Sequence, residues 1–213
     1  MDDTHTQKSY LAELAQDFGR FITHFGSLFV DSAKNLKDLR CLTVTALLTA
    51  CAVAAGFFKF PINESLQLRF DFIFLSAIGC LFGPISCMMA GVISDILGWV
   101  INPVGGPLII GLTFNKMILG FLYGIFLYRK NYRPGIFVIW VTLSKFLHNA
   151  VINVWLNTYW LIQAGILSEA SMKMGAIQVR ITKNAVLLPI EIAIMFPILL
   201  IVVLVARRMK LIK

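Results

Sequence analysis

The feature that most constrains this chain is a succession of long apolar runs with little polar sequence between them. A helix of about 20 apolar residues crosses the hydrocarbon core of a bilayer. In hydrocarbon every backbone polar group must be bonded internally, and runs of this length satisfy that need as helices. We therefore predict an all-α membrane protein, a six-transmembrane-helix bundle with the spans Leu42–Phe58, Phe70–Phe82, Ile85–Val100, Pro107–Tyr128, Gly135–Leu161 and Asn184–Ala206.

The N-terminal 40 residues have a different pattern. Apolar residues recur there at spacings of three and four between Leu11 and Leu28, which is typical of an amphipathic helix. We predict an interfacial segment, residues 1–40, that lies on the membrane surface. It precedes a membrane-embedded substrate-binding domain, residues 41–213. A helix docked on a soluble partner fits the same pattern.

Composition excludes several classes of function. Hydrophobic residues make up 58% of the chain and charged residues 14%, and the net charge is +8. The cations lie at the ends of apolar runs, which indicates contact with a lipid bilayer and not with nucleic acid. The sequence has no P-loop, HExxH or nucleophile elbow, so we predict no enzymatic activity and no hydrolysis of ATP by this chain. Four cysteines without a CxxC pair predict no metal site, and we predict no cofactor.

The distribution of cations predicts the orientation in the membrane. Ten basic residues fall on one side if both termini are cytoplasmic, half as many fall on the other, and cytoplasmic loops carry the excess of Lys and Arg. We therefore predict a multi-pass protein of the cell membrane with cytoplasmic N and C termini. The ten are Lys34, Lys37, Arg40, Arg129, Lys130, Arg133, Arg207, Arg208, Lys210 and Lys213.

Polar side chains inside the spans predict a binding site. Such groups cost several kcal/mol in hydrocarbon unless they face a partner or a wet cavity. Lys145, Asn149, Asn153 and Asn157 recur every four residues along span five, next to His148. We predict that they line a cavity, although hydrogen bonds between helices would explain them too. Toward the same outer end lie Asn115, Lys116, Asn184 and Glu191; a buried Lys116–Glu191 pair is an alternative to ligand contact.

The outer mouth of the predicted cavity carries cations and aromatic rings. Arg69, beside Asp71, and Arg180 with Lys183 are positioned to attract an anionic solute, or to anchor the chain among lipid headgroups. The aromatic residues either form an interfacial belt or stack on a flat ligand ring. They are Phe70, Phe72, Trp99, Trp155, Tyr159 and Trp160.

Span one carries a strip of small residues. Ala46, Ala50 and Ala54 repeat every four residues, so another helix can approach this face closely. Gly79 with Gly83, and Gly120 with Gly124, have the same spacing, and we predict that these glycines mediate packing within the bundle.

Several separated segments resemble the small substrate-binding S-components of energy-coupling factor (ECF) vitamin importers, most closely the folate-specific ones. The resemblance spans roughly residues 40 to 210, and the alanine strip is similar to the AxxxA surface of that family. The other segments that carry it are Leu68–Phe72, Phe82–Ile85, Ser94–Gly98, Leu156–Leu161, Arg180–Asn184 and Leu188–Glu191.

The resemblance implies a module that binds a vitamin and works with one transmembrane scaffold subunit and two ATP-binding subunits. It implies that Ala46, Ala50 and Ala54 dock on the scaffold. For folate or a related vitamin, we expect the asparagines of span five to bind the pterin edge and the mouth cations to meet the glutamate carboxylates. The predicted substrate-binding residues are Arg69, Trp99, Asn115, Lys116, Asn149, Asn153, Asn157, Arg180, Lys183 and Glu191.

Three rival functions remain open at this point. The first is an S-component for another water-soluble vitamin, the second is a stand-alone secondary transporter, and the third is an intramembrane enzyme that acts on lipid. In the last case His148 and Asp95 would be the reactive residues.

Overall fold

The computed structural model of the chain describes residues 13–16, 18–19, 23, 25–63, 66–101, 109–130, 132–163 and 175–211. Within these ranges the chain is helical apart from one two-stranded hairpin. The elements, in order, are α1 (Phe25–Asn35), α2 (Leu39–Phe57), β1 (Lys59–Asn63), β2 (Leu66–Arg69), α3 (Asp71–Phe82), α4 (Pro84–Ile101), α5 (Ile110–Leu127), α6 (Pro134–Leu147), a π-helical segment (His148–Leu156), α7 (Asn157–Gln163) and α8 (Gly175–Arg208).

Five stretches in the described part of the chain are long and apolar enough to cross a membrane. They are Leu39–Phe57, Pro84–Ile101, Ile110–Leu127, Pro134–Trp160 and Ile181–Arg208. The second predicted span is instead the 12-residue apolar helix α3. At 1.5 Å per residue it is about 18 Å long, less than the thickness of the hydrocarbon core.

Helix α3 lies at the centre of the bundle. All but one of its residues are buried, and α2, α4, α5 and α8 pack around it. It ends at Gly83, whose φ of 88° suits a residue without a side chain. Pro84 then begins α4, so Gly83 and Pro84 separate the helices that correspond to predicted spans two and three.

Helices α4 and α5 pack against each other over most of their length. A Cβ atom added to Gly120 would lie 2.5 Å from the Cys87 carbonyl oxygen, and one added to Gly124 would lie 2.2 Å from the Pro84 Cα. The two backbones therefore approach closely because these positions carry no side chain. This confirms the predicted packing role of the Gly120 and Gly124 pair.

Two connections differ from the sequence prediction. The residues after α2, predicted as a loop, form an antiparallel hairpin in which Lys59 pairs with Arg69 and Phe60 with Leu68. The last helix begins at Gly175, about two and a half turns before the predicted start at Asn184. Its 34 residues extend about 50 Å, so Arg180 and Lys183 belong to a helix and not to an outer loop.

The fifth predicted span is one continuous helical stretch with an irregular part. Residues Pro134 to Gln163 run without a break through α6, the π-helical segment and α7. At the end of the π-helical segment the Asn157 N–H bonds the Ile152 carbonyl, five residues back. A π-helical turn is wider than an α-helical turn and occurs frequently at functional sites.

The N-terminal helix α1 packs against the bundle itself, on α4. The backbone N–H groups of Ile85 and Ser86, at the start of α4, donate to the Ser32 hydroxyl at 3.0 and 3.3 Å. Asn35 donates to the Phe82 carbonyl and to the Tyr128 hydroxyl, at 3.3 and 3.0 Å. Part of the predicted segment 1–40 lies outside the described residues, and its contact with the membrane surface stays a prediction.

The Ser32 side chain therefore caps a helix that begins more than 50 residues later in the sequence. Replacing Ser32 with alanine is expected to lower the free energy of unfolding by about 1 kcal/mol, because two N–H groups at the start of α4 lose their acceptor. Equilibrium unfolding in mixed micelles measures this. Thr43→Ala is the control, since the Thr43 hydroxyl is exposed and bonds its own helix; equal shifts in the two variants would contradict the capping role.

Candidate functional site

One lysine of the bundle is fully buried. Lys145, on α6, has 0% of its side chain exposed, and its Nζ lies 3.2 Å from Glu191 Oε1 on α8. The same ammonium group lies 3.6 Å from the centre of the Phe72 ring on α3. A buried cation requires such partners because desolvation costs several kcal/mol. Lys145 therefore connects three helices at one point.

A second buried carboxylate lies at the start of α3. Asp71 forms ion pairs with Lys116 on α5 and, at 3.2 Å, with Arg69 at the end of β2. The predicted alternative of a Lys116–Glu191 pair is therefore wrong: Lys116 pairs with Asp71, and Glu191 pairs with Lys145. The two ion-paired groups together contain three cations (Arg69, Lys116 and Lys145) and two carboxylates (Asp71 and Glu191), which leaves one excess positive charge.

The asparagine ladder of span five continues from the Lys145–Glu191 pair. Asn149 donates to Glu191 Oε2 at 2.9 Å, and Asn153 donates to Asn149 Oδ1 at 3.0 Å and to Asn184 Oδ1 at 3.5 Å. Hydrogen bonding between helices thus accounts for part of the ladder. An asparagine amide has two donor and two acceptor positions, so these bonds are compatible with a ligand. Asn157, the last member, is half-buried.

A tyrosine and a histidine are buried beside the ladder. The Tyr123 hydroxyl on α5 lies 3.2 Å from His148 Nδ1 at the start of the π-helical segment. Tyr123 is 0% exposed and His148 is 8% exposed. The sequence singled out His148 but not Tyr123. A four-residue spacing from Asn115 through Leu119 to Tyr123 was the available signal.

Asn115 is buried on α5 with 5% of its surface exposed. Its side-chain nitrogen and oxygen make no hydrogen bond with any residue that the structure describes. This distinguishes Asn115 from the charged and amide side chains around Asp71 and Glu191, which have partners.

For three further predicted site residues, the structure gives a position along a helix. Trp99 lies near the end of α4 with 38% exposed, and Lys183 is half-buried on α8. Arg180 lies in the first turns of α8, and its side chain is outside the described part. The ion pairs and hydrogen bonds form two groups. Asp71 joins Arg69 and Lys116, and Glu191 joins Lys145 and Asn149, with Asn153 and Asn184 bonded to Asn149 in turn.

Apart from Tyr123, which lies in the second half of α5, these residues lie at one end of the bundle. They occupy the start of α3, the first half of α5, the end of α6 with the π-helical segment, and the first half of α8. Helix α1 lies at the opposite end. Its Asp31 forms an ion pair of 2.6 Å with Arg129, in the connection between α5 and α6. A positively charged polar cluster is thus confined to one end of an apolar bundle.

The alanine strip faces away from this cluster's helices. Ala46, Ala50 and Ala54 are all exposed on α2. The other side of α2 packs inward through Thr45, Thr49, Ala52 and Val53. An apolar strip of small side chains is therefore available at the surface of the protein.

Comparison with known proteins gives a consistent result. A family model described as "ECF transporter, substrate-specific component" matches residues 40–199. The chain is 29% identical over 131 residues to the folate transporter FolT of Clostridium novyi (strain NT), which covers 62% of this chain and 71% of that protein. It is 27% identical over 161 residues to FolT of Leuconostoc mesenteroides subsp. mesenteroides, covering 75% and 84%.

The fold is also similar to a solved structure. The crystal structure of FolT bound with folic acid superposes with a TM-score of 0.63 and 26% sequence identity. The match covers 75% of this chain and 92% of that one.

Proposed function

This chain belongs to the family of ECF transporter substrate-specific components, and we propose that it is the membrane-embedded subunit that binds folate for uptake. The observation that carries the proposal is the similarity to FolT bound with folic acid, which extends over 92% of that chain. The family is a transport component and not an enzyme family. Its apolar helices make the chain a membrane protein.

The chemistry of the polar cluster supports an anionic, heteroaromatic ligand. The excess positive charge favours carboxylates, and neutral amides match the donors and acceptors of a pterin edge. We propose that Asn149, Asn153 and Asn157 contact the ring, together with Asn115. Arg69, Lys116, Arg180 and Lys183 meet the glutamate carboxylates, Glu191 orients the amides, and Trp99 flanks the entrance.

The exposed alanine strip supports an assembly with a helical partner. Ala46, Ala50 and Ala54 form the surface that docks on a transmembrane scaffold subunit, which two ATP-binding subunits drive. The chain lies in the cell membrane with cytoplasmic termini, and α3 is counted as the sixth membrane-embedded helix. The polar cluster then opens outward, since it lies at the end remote from Arg129, Arg207 and Arg208.

The proposal is tested by titrating the purified chain with folate and with a panel of other water-soluble vitamins. We expect folate to bind with the highest affinity. Tighter binding of a different vitamin would show an S-component for that vitamin, and uptake into vesicles without any ATPase would show a secondary transporter.

The amide ladder supplies the sharper test. Replacing Asn153 and Asn157 together with leucine is expected to lower folate affinity about 100-fold or more, since two neutral hydrogen-bonding groups are lost. The matched control is Val151→Leu with Trp155→Phe, which changes exposed positions of the same segment. Undiminished affinity in the asparagine variant would refute the assignment of the ladder to folate.

A further inference from the structure

Two ion pairs join the N-terminal part of the chain to the connection between α5 and α6. Asp31 of α1 pairs with Arg129 at 2.6 Å, and Glu13 pairs with Arg133. Arg129 has a φ of 54°, which lies in the left-handed region that residues with a side chain rarely adopt. Such a backbone persists only where its surroundings fix it. The connection is therefore held in a defined conformation, and Asp31 contacts it at this constrained residue.

A ring contact and hydrogen bonds reinforce the same attachment. The Phe18 ring stacks on Trp140 of α6, with 5.9 Å between the ring centres and 18° between the ring planes. Asn35, at the end of α1, donates to the Tyr128 hydroxyl at 3.0 Å, and Ser32 caps α4. The residues that make these contacts precede residue 40, where the match to the family model begins, so that match assigns them no role. We call them the N-terminal strap: Glu13, Phe18, Asp31, Ser32 and Asn35.

A short, hydrogen-bonded turn joins the strap to α2. Only residues 36–38 separate α1 from α2. The Asp38 N–H donates to the Asn35 carbonyl at 3.2 Å, and the Asp38 carboxylate accepts from the Arg40 N–H at 3.0 Å, as the N-cap of α2. A turn that is bonded on both sides restricts the angle between its two helices. The position of α1 therefore fixes the start of α2.

The strap connects helices that differ in what they carry. Helix α2 carries the exposed alanine strip and packs on α3 and α4. Helices α5 and α6 carry Lys116 and Lys145 of the polar cluster. The strap runs from the start of α2 to the end of α5 and to α6, at the end of the bundle opposite the cluster. It thus adds a direct link between the helix with the alanine strip and two helices that form the binding site.

We propose that the N-terminal strap makes α2, α5 and α6 move as one unit, so that a displacement imposed on α2 by a helical partner reaches the helices of the binding site. The partner and the ligand in this inference rest on the proposed function, whereas the strap contacts do not depend on it. The two arginines are 60% and 63% exposed, so each ion pair contributes little to folding stability. Loss of the strap therefore affects the coupling between helices more than the fold.

The test replaces Asp31 and Asn35 together with alanine in the full chain. Amide hydrogen exchange in α1 is expected to become about tenfold faster, because two contacts with the α5–α6 connection are lost. ATP-dependent folate uptake through the ECF module is expected to fall about fivefold. Folate affinity of the purified chain is expected to stay within about twofold, since the site lies at the other end of the bundle.

The matched control is Val30→Ala with Lys37→Gln, which changes two exposed positions of the same segment. We expect it to leave hydrogen exchange in α1, folate uptake and folate affinity unchanged.

Exchanging the charges separates the ion pair from general damage. Asp31→Arg alone places two cations together and is expected to lower uptake. Asp31→Arg with Arg129→Asp restores a pair of opposite charges and is expected to recover most of the uptake, because aspartate tolerates the left-handed backbone at position 129. Lack of recovery in the exchanged pair would overturn the inference.

Three results with the Asp31 and Asn35 alanine variant would also overturn it: unchanged hydrogen exchange in α1, normal uptake, or a loss of folate affinity as large as the loss of uptake. Absence of folate binding to the wild-type chain would instead overturn the proposed function. Hydrogen exchange needs no ligand, so it tests the strap in that case too.

Discussion

Replacing Glu191 alone with leucine is expected to lower the free energy of unfolding by about 3–5 kcal/mol, because it leaves a buried ammonium group without its anion. Lys145 has no exposed side-chain surface and lies 3.2 Å from Glu191. Asn149 loses the acceptor of its 2.9 Å hydrogen bond in the same step. Equilibrium unfolding of the purified protein in mixed micelles measures the loss.

The matched control removes a carboxylate whose partner is exposed. Asp31 pairs with Arg129, whose side chain is 60% exposed, so Asp31→Leu is expected to cost no more than about 1 kcal/mol. The double variant Lys145→Met with Glu191→Leu removes both charges and is expected to recover most of the stability that Glu191→Leu loses. Equal losses in Glu191→Leu and Asp31→Leu would contradict a buried pair. So would a double variant that is less stable than Glu191→Leu.

Introducing tryptophan at Ala50 is expected to abolish folate uptake through the ECF module without weakening folate binding. Ala50 is the middle residue of the exposed strip on α2, and a bulky ring there prevents close approach of a partner helix. The site lies on other faces of the bundle, so its geometry is retained. ATP-dependent uptake and co-purification with the scaffold and ATP-binding subunits measure the loss, and folate titration of the isolated chain measures binding.

Leu204→Trp is the control for the alanine strip. Leu204 is an apolar position on α8 with 60% exposed, and a tryptophan there adds the same bulk to a different face. We expect that variant to retain uptake. Normal uptake by Ala50→Trp would show that the partner docks elsewhere on the protein.

The apolar pattern of the sequence was sufficient to predict the helical membrane architecture. Runs near 20 residues, the Gly83-Pro84 turn and the four-residue spacing of asparagines are local features, and local features determine where helices form and which side is polar. The same pattern predicted that the polar residues lie at one end of the bundle. The rise per residue of a helix converts the position of each polar residue in a span into its distance from the end of that span.

Hydropathy did not predict the irregular parts of the helices. In the π-helical segment from His148 to Leu156, Asn149 and Asn153 keep the four-residue spacing of a regular helix, so the pattern of polar residues does not mark the wider turn. Helix α8 begins at Gly175, in a polar region that hydropathy alone predicts to be a loop. Both features depend on packing with neighbouring helices, which overrides local preference.

Charge and spacing in the sequence determined that buried cations and carboxylates would meet near one depth of the membrane. They did not determine the pairing, and a Lys116–Glu191 pair satisfied depth as well as the pairs that form. The tertiary structure decided it, since α3 places Asp71 beside Lys116 on α5, and α8 places Glu191 beside Lys145 on α6. Depth along a helix is a property of the sequence, whereas the neighbour across a helix interface depends on rotation and packing of two helices at once.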